Sequence, residues 1–354
     1  MSWFVQSFYG HNKAPTGEEL QLEPDENYGG TDDGQEYRLD ENFWMVLRRM
    51  KEDFVELDKS KIQWDSVAQL SISGILGLIG AFFVLTFQIH WQTFLFTFVY
   101  LICSGLGVTM GVHRLWSHRT YKAVWPAQIV IMLFNCLSFQ ESILIWSHKH
   151  RVHHKWSDTD RDFTNSRRGF FFAHVGWKMY DQHPEVAFGK SITDCKDLLN
   201  DPIVMFQHNY YYLISVPVAF IIPALIPILG WGEDPFISIC IVFLRLFISF
   251  NFTWCVNSIS HMYGYRPHDV TSYTYDNDIY SRFLLGEGLH NFHHAYPHDY
   301  RSSEHNHFIG SLTTTMIDLM AFFGLVWDRR EVTAEHILAR RKRTGDLGNM
   351  EPRY

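Results

Sequence analysis

The chain has 354 residues, 47% of them hydrophobic, and 30 Lys and Arg against 38 Asp and Glu, for a net charge of −8. No basic stripe interleaved with aromatics accompanies that charge, which argues against nucleic acid as a partner. Composition alone is compatible with one large core or two modest ones, so the distribution of apolar residues along the chain decides the class.

Residues 1–62 are polar and acid-rich, with Glu18, Glu19, Asp25, Glu26, Asp32 and Asp33, and they read as an N-terminal segment disordered up to about Asp40. We read no cleavable signal peptide in it, so the first apolar stretch would serve as the insertion signal. That stretch, Ser66 to Ile89, carries no formal charge. At ~1.5 Å per residue it is long enough to cross a hydrocarbon core of ~30 Å. Trp91 to Met110, Tyr210 to Leu229 and Phe236 to Val256 behave alike, the last broken only by Arg245, which makes four expected transmembrane helices.

His90 and Trp91 leave room only for a tight turn, and Gly230 to Pro235 form a similarly short link, so the spans should pair as two hairpins. Parity then places the N-terminus, the segment from about Gly111 to His208, and everything after Asn257 on one side of the membrane. That side holds Arg48, Arg49, Lys51, Arg151, Lys155, Arg167, Arg168 and the Arg340 to Arg343 cluster, which marks it as cytosolic. Of the 20 histidines only His90 falls on the other side. The apolar run from Ala123 to Ile145 is interrupted by Pro126, Asn135, Gln140 and Glu141 and reads as an interfacial or buried helix packed on the bundle. The expected organisation is thus an acidic segment (1–62), a membrane domain with a helical cytosolic cap (63–320) and a cytosolic tail (321–354). Cys103, Cys136, Cys195, Cys240 and Cys255 show no CxxC pairing and read as reduced thiols.

Three histidine clusters carry the chemistry: His113 and His118 in GVHRLWSHR; His150, His153 and His154 in HKHRVHHKW; and His290, His293 and His294 in GEGLHNFHHAYPHDY. Spacings of i, i+3 and i+4 place three imidazoles on one helical face, as convergent metal ligation requires. His113 and His118, five apart, are offset by ~140° on a regular α-helix, so they should sit where the second span unwinds or reach the metal from different heights. Eight imidazoles exceed the four ligands of a structural zinc, and two metals sharing them is the natural count. Neutral imidazole suits iron, copper, zinc and nickel and leaves a redox metal electrophilic. Asp158, Asp160 and Asp162 after the second cluster and Glu287 before the third are candidates to hold the distal ring nitrogens. His174, His183, His208, His268, His298, His305, His307 and His336 lack this spacing and read as packing, surface or supporting residues.

These residues resemble the membrane acyl-CoA Δ9 desaturases of the stearoyl-CoA desaturase type. The resemblance runs from about Gly105 to Asp318 and includes GVHRLWSHRTYKA, HRVHHKWSDTD, NSRRGFFFAHVGWKM, NSISH and GEGLHNFHHAYPHDY. It implies a four-helix membrane stem under a cytosolic cap that holds a di-iron site and an acyl tunnel, in the endoplasmic reticulum membrane with both termini cytosolic. It also implies that one iron takes His113, His118, His150, His154 and His294. The other would take His153, His261, His290 and His293, with Asn257 holding a water; His261 and Asn257 come from the resemblance alone. The implied reaction uses O2 and two electrons, delivered by cytochrome b5 and its reductase, to place a cis double bond in a saturated fatty acyl-CoA. Overexpressed protein could carry zinc in the same imidazoles.

Trp146 and Trp254 match tryptophans lining the family's substrate channel. Leu101 and Gly105 stand where a bulkier pair is common, which implies a roomier tunnel end. The head-group positions depart from the family: Glu141, His148 and Lys149 replace Asn, Arg and Asp, while Asp181 and Gln182 replace a basic pair. Two other readings stay open at this level: a membrane hydroxylase or desaturase of another lipid, and a non-catalytic lipid-binding relative.

Overall fold

The computed structural model describes residues 58–303 and 311–346, with Arg48 and Lys51. The acidic segment expected to be disordered, as well as His305 and His307, lies outside the described residues. Among the described residues, four helices are long and apolar enough to cross a membrane: α1 (Trp64–Leu85), α2 (Trp91–Leu106, prolonged by a π-helix over Gly107–Ser117), a third over Tyr211–Trp231, and a fourth over Pro235–His261. Between the second and third, the apolar run forms α3 (Trp125–Ser138) and α4 (Ile143–Trp156), bent by 80° at the intervening loop. The bend falls at Phe139, which is left-handed (φ 53°), and Ser142 caps α4 by accepting from the Ile145 amide. This matches the expectation of a packed helix better than a fifth straight span.

We label the third span α5 (Tyr211–Trp231) and the helical core of the fourth α6 (Pro235–Ser258). Small residues set the approach of α1 to α6. A Cβ on Gly80 would stand 2.5 Å from the Cys240 carbonyl oxygen, and one on Gly77 3.0 Å from Phe247. In lipid, where apolar burial alone does not hold helices together, such close packing is a main source of association. Gly80→Leu is therefore expected to part α1 from α6 and to lower the melting temperature of the detergent-solubilised protein, as read by a fluorescence-detected thermal ramp.

Arg245, the one charge in the fourth span, is 1% exposed. Pro223 lacks the amide hydrogen that would bond the Ala219 carbonyl one turn back. Arg245 fills that gap, donating from Nη2 to Ala219 O at 2.7 Å and from Nη1 to Leu137 O, at the end of α3, at 2.7 Å. A charge in an apolar bundle is tolerable because it satisfies carbonyls that proline and a helix end leave open. It staples α3, α5 and α6 together.

Beyond α6 the chain builds the cap. Short helices over Pro184–Ser191 and Pro202–Asn209 precede α5, and α7 (His290–Ala295), α8 (Leu312–Phe322) and α9 (Ala334–Thr344) follow α6. The periodicity gave no sign of a two-stranded antiparallel ribbon, in which β1 (Lys122–Ala123) pairs with β2 (Val326–Trp327). Strands of two residues leave no readable alternation. The largest buried cluster gathers Leu106, Val112, Trp116, Ile131, Ile143 and Ile317, so it lies where α2 and its π extension meet α3, α4 and α8. The end of the second span, which carries the first histidine cluster, is buried along its whole π-helical extension.

Candidate metal centre

His113 and His118 are brought together by the π-helix. In that geometry residue i+5 bonds back to residue i, and the His118 amide donates to the His113 carbonyl at 3.1 Å. A five-residue spacing that splays two side chains on an α-helix brings them edge to face here, with ring centroids 5.0 Å apart. The wider turn supplies the convergence that α-helical geometry lacks.

Nine imidazoles meet in two adjoining sets, His113, His118, His150, His154 and His293 in one and His153, His261, His290 and His294 in the other. In the first, Nε2 of His293 is 2.9 Å from Nε2 of His113 and 2.9 Å from that of His154, and His118 and His150 approach to 2.8 Å. In the second, His290 Nε2 lies 3.1 Å from those of His261 and His294. His261 arrives from the end of the fourth span. Asn257 sits half-buried one turn before it.

The division differs from the one the resemblance implied, because His293 and His294 exchange places. The reason lies in helical geometry. Within an HxxHH box, i and i+4 are ~40° apart around the axis, whereas i+3 lies ~60° to the other side of i. Each box therefore gives its i, i+4 pair to one set and its i+3 member to the other: His150 and His154 against His153, and His290 and His294 against His293.

Carboxylates hold three of the distal nitrogens. Glu287 Oε2 is 2.9 Å from Nδ1 of His113, Asp162 Oδ2 is 2.8 Å from Nδ1 of His153, and Asp158 Oδ2 is 3.0 Å from Nδ1 of His261. Asp160, by contrast, is exposed. Each of the three carboxylates is itself anchored: Asp158 accepts from the Ser166 amide, Asp162 from the Asp158 and Thr164 amides, and Glu287 from Arg114 at 2.7 Å. Arg114 was not singled out from the sequence, although it directly follows His113. Fully buried, it also donates to the Tyr300 carbonyl. Arg151, inside the second box, grips Asp197 with both Nη atoms and donates to the carbonyls of Trp116 and Ser117, tying α4 to the end of the π-helix.

Burial, reinforced by neighbouring imidazoles, pushes His118, His150, His154, His290, His293 and His294 well below the ordinary histidine value, so they are neutral with free lone pairs. Burial acts the same way on His153, but the charge and hydrogen bond of Asp162 outweigh it and raise that group. Burial would raise Glu287, yet Arg114 and His113 more than offset this and hold it ionised. The donor set fits divalent metal, iron included. Ring nitrogens converge, partners fix the orientation of three rings, and the Nε2 separations approach the ~3 Å edge expected for ligands with metal–nitrogen bonds of ~2.1 Å.

Of the residues matched to a substrate channel, Trp146 stacks on His150 (centroids 4.9 Å, 21°). Trp254 is buried, stacks on Phe250 and meets the edge of His174, whose nitrogens reach Ser258 and Asn251. Leu101 is half-buried. Beside Gly105, Leu285 Cδ1 lies 2.6 Å from where a Cβ would stand. Leu285 is left-handed (φ 57°) and precedes Gly286 (φ 105°), and this turn carries its side chain over the second span.

A family model for fatty acid desaturases matches residues 89–310, which contain all nine histidines. The chain belongs to the fatty acid desaturase family. Stearoyl-CoA desaturase of Sus scrofa is 44% identical over 289 residues, which are 81% of this chain and 80% of that protein. Stearoyl-CoA desaturase 2 of Rattus norvegicus is 43% identical over the same length. The Delta(9)-fatty-acid desaturase fat-7 of Caenorhabditis elegans is 40% identical over 280 residues, 79% of this chain and 82% of that protein. Within the family the chain falls with the Δ9 acyl-CoA desaturases, and it is an oxidoreductase acting on fatty acyl groups.

Proposed function

We propose that this desaturase inserts a cis double bond at Δ9 of a saturated fatty acyl-CoA, consuming O2 and two electrons supplied by cytochrome b5 and its reductase. It would act in the endoplasmic reticulum membrane with both termini cytosolic. The observation that carries the reading is the pair of adjoining, carboxylate-braced imidazole sets. His113, His118, His150, His154 and His293 would hold one ferrous ion and His153, His261, His290 and His294 the other, with Asn257 reaching the second through a water. When bound, the irons supply O2 activation and the one-electron oxidising power that hydrogen abstraction from an unactivated methylene demands. No acid or base side chain can supply that.

The protein's own contribution is position and exclusion. The i+3 histidine of each box crosses to the neighbouring set, so α4 and α7 brace both sets at once. Glu287, Asp162 and Asp158 fix the rings by accepting from Nδ1, which leaves Nε2 as the ligand atom on His113, His153 and His261. Trp146, stacked on His150, and Trp254 on α6 would present apolar walls to the acyl chain and keep water from the reacting carbons.

The test is expression in cells lacking their own Δ9 desaturase, fed saturated acids of several lengths, with product double bonds mapped by mass spectrometry. A new cis-Δ9 product that disappears with His153→Ala is expected. Folded, iron-loaded protein that yields no unsaturated product, or yields one that retains oxygen, would overturn the reading.

A further inference from the structure

Eight of the nine converging imidazoles have a neighbour on their own element. Helical spacing sets His150, His153 and His154 against one another, and likewise His290, His293 and His294, while the π-helix does so for His113 and His118. His261 has no such neighbour. It ends a single 3-10 turn, Ile259–His261, that follows α6, so its place depends on how that end of α6 is held. Asn251, Trp254, Ser258 and His261 are spaced i, i+3, i+7 and i+10, which lines them up along one helical face. His174 touches the first three. Its Nε2 is 3.2 Å from Asn251 Oδ1, its Nδ1 is 3.0 Å from Ser258 Oγ, and its ring meets that of Trp254 edge to face with centroids 5.8 Å apart. Asn251 is itself fixed, since its Nδ2 donates to the Phe247 carbonyl at 2.7 Å. One side chain thus grips the last two turns of α6 at three points.

The short helix that carries His174, Phe170–His174, is anchored in turn. Phe170 stacks on the imidazole, with centroids 5.7 Å apart and planes 13° from parallel. Phe170 and Ala173 form a buried cluster with Met262, against which Ile259 and Tyr263 pack. Those last three residues flank His261 in the chain. The same stretch supplies Asp158, whose Oδ2 is 3.0 Å from Nδ1 of His261 and whose Oδ1 accepts from the Ser166 amide at 3.0 Å. Between 158 and 174 the chain therefore holds His261 twice, at its ring through Asp158 and at its helix through His174. A metal site keeps its affinity only where each ligand is held to within about 0.5 Å by packing and by hydrogen bonds behind it.

We propose that His174 is a positioning residue for the metal centre: it sets the rotation of the end of α6 and thereby carries His261 into the set that also holds His153, His290 and His294. Its two polar contacts do different work. The contact with Asn251 fixes the turn that bears Trp254, and the contact with Ser258 fixes the turn that leads directly into His261. The inference rests on the acyl-desaturase reading above for the identity of the metal as iron, and it names what places the one imidazole that no local spacing marks.

The experiment follows iron retained per chain by the full-length protein in detergent as a chelator is titrated in, with the melting temperature recorded alongside. His174→Phe keeps the ring packing but gives up both polar contacts, and Ser258→Ala removes one contact from the other side. Each is expected to release one iron of the pair at about tenfold lower chelator concentration, while the other leaves where it does in the parent. His261→Ala should lose that same iron, so adding His174→Phe to His261→Ala is expected to change nothing further. His174→Gln, which can still donate to Asn251, should fall between the parent and His174→Phe, and it keeps the test open should His174→Phe fail to fold. A role in fold stability alone would move the melting temperature and both irons together. That result, or retention of both irons as in the parent, would overturn the proposal. Selective loss of one iron in a chain that makes no unsaturated product in cells would overturn only the reaction assignment.

Discussion

Glu287→Ala is expected to release iron and to destabilise the protein together, because one carboxylate serves both a histidine of the metal set and a buried guanidinium. Its Oε2 holds Nδ1 of His113 at 2.9 Å, and its Oε1 accepts from Arg114 at 2.7 Å. Arg114 is 0% exposed, so removing its partner leaves a guanidinium in the core that, among the described residues, retains the Tyr300 carbonyl and Thr314 hydroxyl. Breaking such a pair from one side costs about 3–5 kcal/mol, since the remaining charge has lost its compensation without regaining water. Losing the acceptor behind a metal-binding histidine lowers metal affinity by about 10–100-fold. Glu287→Gln keeps the shape and one acceptor but drops the charge, and it should fall between parent and alanine variant. Iron per chain by atomic absorption and melting temperature in detergent read the two effects separately. Full iron occupancy with an unchanged melting temperature in Glu287→Ala would show that Arg114 and His113 are held by something else.

Gly107→Ala should be as damaging, although it touches no ligand. Gly107 opens the π-helix, and a Cβ there would run into the backbone of Phe134 and Asn135 in α3. A side chain could rotate away, but backbone cannot. Asn135 Oδ1 accepts from Gln207 Nε2 at 3.1 Å, and Gln207 Oε1 in turn accepts from the Ile143 amide, the first residue of α4, at 3.0 Å. Pushing α3 outward thus shifts α4 and its histidines relative to His113 and His118. The expected cost is about 3 kcal/mol or more, in the range of overpacked cores. Iron should be lost with it. Gly230, where an added methyl would meet nothing within 4 Å, is the matched control, and Gly230→Ala should be neutral or slightly stabilising. Equal behaviour of the two alanine variants would remove close packing at Gly107 as the explanation.

Properties that repeat at short range were legible in the chain itself. A span is recognised by apolar length, and all four appear, three with limits within five residues of those expected and the second running seven residues further, to Ser117. An HxxHH box declares its common face through helical spacing, and Glu287, Asp158 and Asp162 stood out because each lies within a turn or a short loop of a box. Tertiary structure decided whatever depends on how one element meets another. His261 is a lone histidine past the last span, with no local spacing to mark it, and only the end of α6 carries it to His290. The convergence of His113 and His118 follows from a π-helix, which differs from an α-helix by one residue per hydrogen-bonded turn and leaves no periodic signature over 11 residues. That His293 and His294 fall in opposite sets follows from the helical spacing of their box, but which set each joins depends on the rotation of α7 against α4, a quantity absent from either segment alone. Leu285 fills the space beside Gly105 because a left-handed turn far along the sequence folds over the second span. Local periodicity thus marked eight of the nine imidazoles and their supports, while packing of distant helices chose their partners and brought in His261.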